Sequence, residues 1–329
     1  MTTAAPDTMR AILQDSYGSA DQWRAGEIAV PEIADKEVLV KIAAAGLDRG
    51  TWHLMTGLPY LGRLAFGIRK PKNPVPGRDL AGTVVAVGSS VTRFAVGDAV
   101  FGIGNGSFSE YAAAREDKVA HAPANVTTQQ AAVVPISGLT AIHALRDAGR
   151  LQKGQSVLIV GASGGVGSYA VQLAKAFGAK VTGVCSTAKI DLVRTLGADR
   201  VIDYTQDDFA DGTQLYDLVL DIGGSSSLSR LRRALTPKGI LVIVGGEQGG
   251  KLTGMGRQVR ALMLSPFVSQ RLTMLVPKEN YLDLERLAEF IEVGTLTPSV
   301  DREYPLEKAA DAMRQLVAGK VQGKLAIII

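Results

Sequence analysis

The stretch VLIVGASGGVGSYAVQLAKAFGAKVTGVCSTAK, Val157 to Lys189, encodes a strand, a glycine turn, a helix and a second strand. The apolar run Val157–Val160 predicts a buried parallel strand. Gly161, Gly164, Gly165 and Gly167 follow, and then a helical apolar pattern at Val166, Ala170, Leu173, Ala174 and Phe177. Glycines let the backbone approach a pyrophosphate, and a helix N-terminus offers unpaired N–H groups and a positive dipole end. The turn is imperfect, with Ala162 at the first glycine position. Its candidate phosphate contacts are Ser163, Gly164, Gly165, Val166 and Gly167. In an NAD site the second strand ends in a carboxylate that grips the ribose hydroxyls. Here Lys180–Val184 runs into Cys185 and Ser186, with Lys189 close behind. A small hydroxyl and a cation suit a 2′-phosphate, so the expected cofactor is NADP(H).

The alternation continues downstream. Strands are expected at Arg200–Asp203, Asp217–Asp221 and Gly239–Val244, with helices at Lys189–Leu196 and Ser226–Leu235. Upstream, Gln129–Ala148 reads as helix interrupted by Pro135. Strands alternating with helices predict a doubly wound parallel sheet. The first 127 residues read differently. Val38, Val40 and Ile42 alternate on one face of Glu37–Ala44, and short strands follow at Ala81–Val87, Ala99–Gly102 and Phe108–Ala114. Leu54–Pro76 has no clear period and reads as a loop over a cleft. Met255–Met274 is expected to cover a substrate cleft. Helices near Leu282–Val293 and Leu306–Ala318 precede a last strand, Lys324–Ile329.

Composition narrows the function. The 329 residues favour two domains over one. The formal net charge of +4 comes without a dense Lys/Arg block, so nucleic acid is not an expected partner. The mild positive balance still favours an anionic cofactor. A single cysteine, Cys185, excludes an internal disulfide and a cysteine zinc site. Nothing reads as a targeting segment or a membrane span, so a cytoplasmic protein with no membrane partner is expected.

In order along the chain stand Pro76-Gly77-Arg78-Asp79-Leu80-Ala81-Gly82, Val96-Gly97-Asp98, Gly106-Ser107-Phe108, Gly138-Leu139-Thr140-Ala141, the turn at Ala162–Gly167, Leu196-Gly197-Ala198-Asp199 and Gly323-Lys324. This series resembles the medium-chain dehydrogenase/reductase superfamily, and most of all its zinc-free quinone-oxidoreductase branch. The resemblance implies an α/β fold. A Rossmann domain (residues 128–267) is inserted into a GroES-like β-rich catalytic domain made of residues 1–127 and 268–329, with the active site in the cleft between them. Zinc-dependent members carry metal ligands at positions that here are Asp48, Arg78 and Ser137. Arg78 would repel a metal, and Asp48 alone cannot hold zinc, so no metal site is expected. Without a Lewis acid, conjugate reduction of an enone, enal or quinone by NADPH is the activity implied.

The resemblance also implies cofactor contacts from Thr140, Tyr204, Gly245 and Gly246, and a homodimer. Tyr204 is also open to a plainer reading, as an amphipathic strand-end residue. The catalytic candidates are Asp48, His53 and Tyr60. His53 falls among relay or substrate-facing residues of relatives, or is a loop histidine without a role. Asp48 is an acceptor or acid, or the partner of Arg49 or Arg78. Tyr60 donates to a carbonyl, or only lines its loop. Two other functions stay open: a biosynthetic enoyl reductase or cyclase with a tailored small-molecule substrate, and a non-catalytic NADPH-binding sensor.

Overall fold

The computed structural model describes residues 6–245, 250, 253–276 and 278–329. The chain divides into two compact units. One comprises Met1–Ile136, Glu279–Gly294 and Pro298–Ile329; the other comprises Ser137–Lys278 and Thr295–Thr297. The second is thus an insertion in the first, as expected. The units divide nine to eleven residues beyond the boundaries read from the sequence. The reasons are local. Helix Thr128–Ala132 packs on strands Glu37–Leu47 and Asp79–Val87 of the first unit, and strand Arg271–Met274 pairs with Leu235–Ile243 of the second.

The inserted unit is a six-stranded parallel sheet. Its strands run Arg200–Asp203, Lys180–Cys185, Ser156–Val160, Tyr216–Asp221, Leu235–Ile243 and Arg271–Met274. Numbered along the chain this is the order 3-2-1-4-5-6 of a Rossmann fold. The central strands are buried on both faces, which is why Val157–Val160 reads as a continuous apolar run. The sheet reverses direction of winding between Ser156–Val160 and Tyr216–Asp221, and ligands of such sheets bind at the carboxyl ends there.

The other unit is a mostly antiparallel sheet of seven strands. Its path is Val300–Pro305, Lys324–Ile328, Glu37–Leu47, Asp79–Val87, Ala99–Ile103 and Val119–His121, with Tyr111–Arg115 also pairing with Glu37–Leu47. Val38, Val40 and Ile42 point into one core with Val84, Phe94 and Val100, as their alternation predicts. A hairpin of Thr8–Gln14 and Trp23–Ala29 stands beside it. The stretch read as an aperiodic loop over Leu54–Pro76 instead contains the end of helix Arg49–Thr56 and two single turns, Tyr60–Gly62 and Arg63–Phe66. These are too short to show a period in sequence. No described helix is long and apolar enough to cross a membrane.

Candidate functional site

In the inserted unit, strand Ser156–Val160 ends at Gly161, whose φ of +91° strains any residue with a side chain. The N–H groups of Gly161 and Ala162 both donate to the Val184 carbonyl, at 3.1 and 3.0 Å, which locks the turn to the next strand. Helix Gly165–Ala176 then begins with Gly164 as its cap, and no side chain bonds its first N–H groups. Its first turn carries no acidic residue either. Uncapped donors at a positive helix end form an anion cradle. At Gly167 a Cβ would sit 2.1 Å from the Gly161 carbonyl oxygen, so only glycine lets the helix approach the strand. Ser163 is buried in the turn, and Val166 is half-buried.

The ends of the second and third strands come together. Cys185 pairs with Asp203 in register, and the Tyr204 N–H donates to the Cys185 carbonyl at 3.1 Å. Ser186 therefore stands beside Tyr204, which is exposed, and Lys189 closes the short turn Thr187–Lys189. Asp203, in register with Cys185, brings a carboxylate to this strand end, but it is engaged. It accepts from Thr187 at 2.5 Å and from the Thr205 hydroxyl and N–H at 2.8 and 3.0 Å. These bonds hold Asp203 below the usual carboxylate range, Thr187 first. Sequence reasoning missed Thr187 and Asp203; the TAK and DYT triplets at two strand ends were the available signal. Cys185 itself is buried, and burial, with Asp203 beside it, pushes its thiol up to about 11.

At the same sheet edge, Gly245 donates to the Asp221 carbonyl at 3.0 Å. Gly246 lies outside the described residues, and Thr140 lies on helix Pro135–Ile142. A second missed feature lies here. Asp221 is fully buried, and Arg257 donates to its Oδ2 at 2.5 Å and to the carbonyls of Gly224 and Ser226 at 2.5 and 2.6 Å. Arg257 thus holds the 222–226 loop against the strand end. Burial raises the Asp221 pKa, although Arg257 opposes it. The residues fit NADP(H): the turn offers donors without a competing acid, and the second strand ends on a hydroxyl rather than a free carboxylate.

In the other unit, Asp48 caps helix Arg49–Thr56. Its Oδ1 accepts from the Thr51 N–H at 2.7 Å and the Thr51 hydroxyl at 3.2 Å. Its Oδ2 is buried with no hydrogen-bond partner. The alternative pair of Asp48 with Arg78 is not formed, because Arg78 bridges to Glu279 at 2.7 Å. Lys118 bridges to the other Glu279 oxygen, also at 2.7 Å. Burial alone would raise Glu279, yet the two cations hold it below its ordinary value. His53 Nδ1 lies 2.7 Å from the Leu58 carbonyl, which only accepts, so that nitrogen carries the proton and Nε2 is left as the working atom. Tyr60 is half exposed, with the Arg63 guanidinium 4.8 Å from its ring centre.

A cavity of about 450 Å³ adjoins these residues in the fold. Its walls include Leu54, Phe66, Lys72, Asn105, Arg78 and Glu279, and none of Asp48, His53 or Tyr60. Behind Arg78, Asp79 is fully buried. Lys324 approaches its Oδ2 at 3.2 Å, and the Ile136 N–H donates to Oδ1 at 2.9 Å. Burial pushes Asp79 up to about 7, with Lys324 opposing and Asp48 adding to the rise. The donor set does not fit zinc: Arg78 is a cation locked in an ion pair. Among the described residues no group of three or more His, Cys, Asp or Glu is placed to hold a metal ion.

Residues 34–124 match the alcohol dehydrogenase GroES-like domain, and residues 196–327 match the zinc-binding dehydrogenase family. The chain is 34% identical to 2-methylene-furan-3-one reductase of Solanum lycopersicum, over 98% of this chain and 79% of that one. It is 33% identical to the chloroplastic NADPH-dependent alkenal/one oxidoreductase of Arabidopsis thaliana, over 98% and 80% of the two chains. The structure of the quinone oxidoreductase from Coxiella burnetii superposes with a TM-score of 0.87 at 27% identity, covering 98% of this chain and 99% of that one. With a Rossmann unit inserted in a GroES-like unit, and these relatives over nearly its whole length, the chain belongs to the zinc-free, quinone-oxidoreductase-like branch of the medium-chain dehydrogenase/reductase superfamily.

Proposed function

We propose that the protein uses NADPH to reduce an activated carbon–carbon double bond, in an enone, an enal or a quinone. The observation that carries this reading is the Arg78–Glu279 bridge. With Arg78 at a position where the resemblance implies a metal ligand in zinc-dependent relatives, the bridge supports a site in which the charge that develops on the substrate is held by hydrogen-bond donors. Reduction of a simple ketone concentrates that charge on one oxygen. Conjugate reduction spreads it over an enolate, for which fewer donors suffice.

When bound, NADPH supplies the hydride. The uncapped turn at Ser163–Gly167 would bind its pyrophosphate, Ser186, Lys189 and Tyr204 would hold its 2′-phosphate end, and Thr140 and Gly245 would hold its nicotinamide end. His53 and Tyr60 are the proposed donors to the enolate oxygen. The Leu58 carbonyl fixes the His53 ring, so Nε2 donates only when the ring is protonated. Asp48, whose Oδ2 has no other partner, orients one donor or takes part in proton transfer. The proposed setting is the cytoplasm, in keeping with a single buried thiol. The proposed assembly is a homodimer through the open edge of strand Arg271–Met274.

The test is product analysis after turnover of an α,β-unsaturated ketone with deuterated NADPH. Deuterium on the β-carbon is expected. Label on the carbinol carbon, or efficient turnover of saturated ketones, would reject the proposal in favour of an alcohol dehydrogenase.

A further inference from the structure

Residues 49–78 contain Arg49, Arg63, Arg69, Lys70, Lys72 and Arg78 and no Asp or Glu. The whole chain has 36 Lys and Arg against 32 Asp and Glu. Without these six the remainder would be acidic, so the segment is one of the strongly cationic stretches of the chain. The same segment exposes Tyr60, Leu61, Leu64, Phe66 and Ile68, with Leu64 and Ile68 each 68% exposed. Five large apolar side chains in water within nine residues are an unusual concentration.

The exposure is built in. Arg63 donates to the Gly57 carbonyl at 2.9 Å, and its guanidinium lies 4.4 Å from the ring centre of Tyr17. The Tyr17 hydroxyl donates to the Gly67 carbonyl at 2.5 Å, and the Lys72 N–H to the Phe66 carbonyl at 2.8 Å. Both ends of the exposed turn are therefore fastened, and Leu61, Leu64 and Ile68 point outward from a fixed backbone. Arg69, Lys70 and Lys72, all exposed, stand directly beside them.

We propose that residues 60–72 dock on the surface of an anionic phospholipid bilayer, with Leu61, Leu64 and Ile68 entering the headgroup–acyl boundary and Arg69, Lys70 and Lys72 contacting the lipid phosphates. Apolar side chains flanked by Tyr, Lys and Arg, with no acid nearby, match that layer in both polarity and charge. A protein partner is the weaker fit, because Lys is depleted at protein interfaces and Leu is rare among their energetic anchors. The segment is far too short to span a bilayer. This is attachment to a surface, which the expectation of no membrane partner, drawn from the lack of a span, did not consider. The inner side of the segment supplies Ala65, Phe66, Pro71 and Lys72 to the cavity wall. Docking would bring that wall to the lipid, where apolar carbonyl compounds concentrate.

The full chain is to be co-sedimented with phosphatidylcholine vesicles, with and without phosphatidylserine, at low and high salt and without any substrate. Binding is expected only to the anionic vesicles and is expected to fall with salt. Each cation removed is expected to weaken binding about fivefold. The double variant Arg69→Gln, Lys70→Gln should therefore bind some twenty- to thirtyfold more weakly, and Leu64→Ser, Ile68→Ser should also lose binding. Neither pair lines the cavity, so turnover of a water-soluble substrate and the melting temperature should stay as in the parent. Three results would overturn the proposal: no binding to anionic vesicles at low salt, binding that both variants retain, or a fall in solution mass on Leu64→Ser, Ile68→Ser, which would make the patch a contact between copies.

Discussion

Lys189 and Asp79 show how differently two residues can declare themselves. Lys189 follows the second strand by four positions, so its proposed contact with a cofactor phosphate follows from spacing alone. Lys189→Ala is expected to weaken NADPH binding by ~1–3 kcal/mol, the scale of a charge-assisted hydrogen bond, and to leave NADH nearly unchanged. Calorimetric titration with both cofactors measures it. Asp79 could be read only as part of a motif. Its partner Lys324 is 245 positions away, and no local pattern announces the bond. Between its ordinary pKa of 3.8 and about 7 in the fold, the folded chain keeps a proton that the unfolded chain has lost. The stability tied to that proton is complete below the lower value and drains away as pH rises through the upper one. Lys324→Met should then cost ~3–5 kcal/mol in alkaline buffer, where it strands a buried carboxylate, and much less in acid, where Asp79 is protonated. Urea unfolding on both sides of neutrality would show equal losses if this account is wrong.

Among the elements, those with an uninterrupted period were legible: the 157–185 strand–helix–strand, the Glu37 strand and the two late helices. The strand Arg271–Met274 was not, because four residues carry too little alternation to show a period. The single turns at Tyr60–Gly62 and Arg63–Phe66 were hidden for the same reason. The helix that opens the nucleotide cradle gives the sharpest test at this scale. Gly167→Ala would place a methyl 2.1 Å from a backbone oxygen that cannot swing aside. A loss of ~1–3 kcal/mol in stability is expected from overpacking, with a larger loss in NADPH binding as helix and turn separate. Thermal melts with and without NADPH report the two together. An equal melting shift on adding the cofactor to parent and variant would contradict it.

For the whole molecule, the insertion of one unit in another was legible from the change of pattern near residue 128 and the return of a strand at the C-terminus. The proposed homodimer was implied by resemblance alone, since a strand edge that could carry it exists only once the sheet is ordered. Strand Arg271–Met274 ends the parallel sheet, and Met263, Phe267 and Val276 are exposed around it. Pairing of two such edges would bury unpaired backbone groups and these side chains together. Light scattering at micromolar concentration is expected to give about twice the mass of the 34.6 kDa chain. Phe267→Asp should return it to one chain.

The burial of Cys185 has a consequence for a catalyst that handles electrophiles. Enones and enals alkylate thiolates, so an enzyme that gathers them invites damage from its own substrate. Here the one thiol in the chain is shut away and kept protonated, with its pKa pushed up to about 11. At neutral pH only about one thiol in ten thousand is then the reactive anion. The protein should accordingly survive its own chemistry. After prolonged incubation with excess enone, peptide mass spectrometry is expected to find Cys185 unmodified, with any adducts confined to surface lysines and histidines.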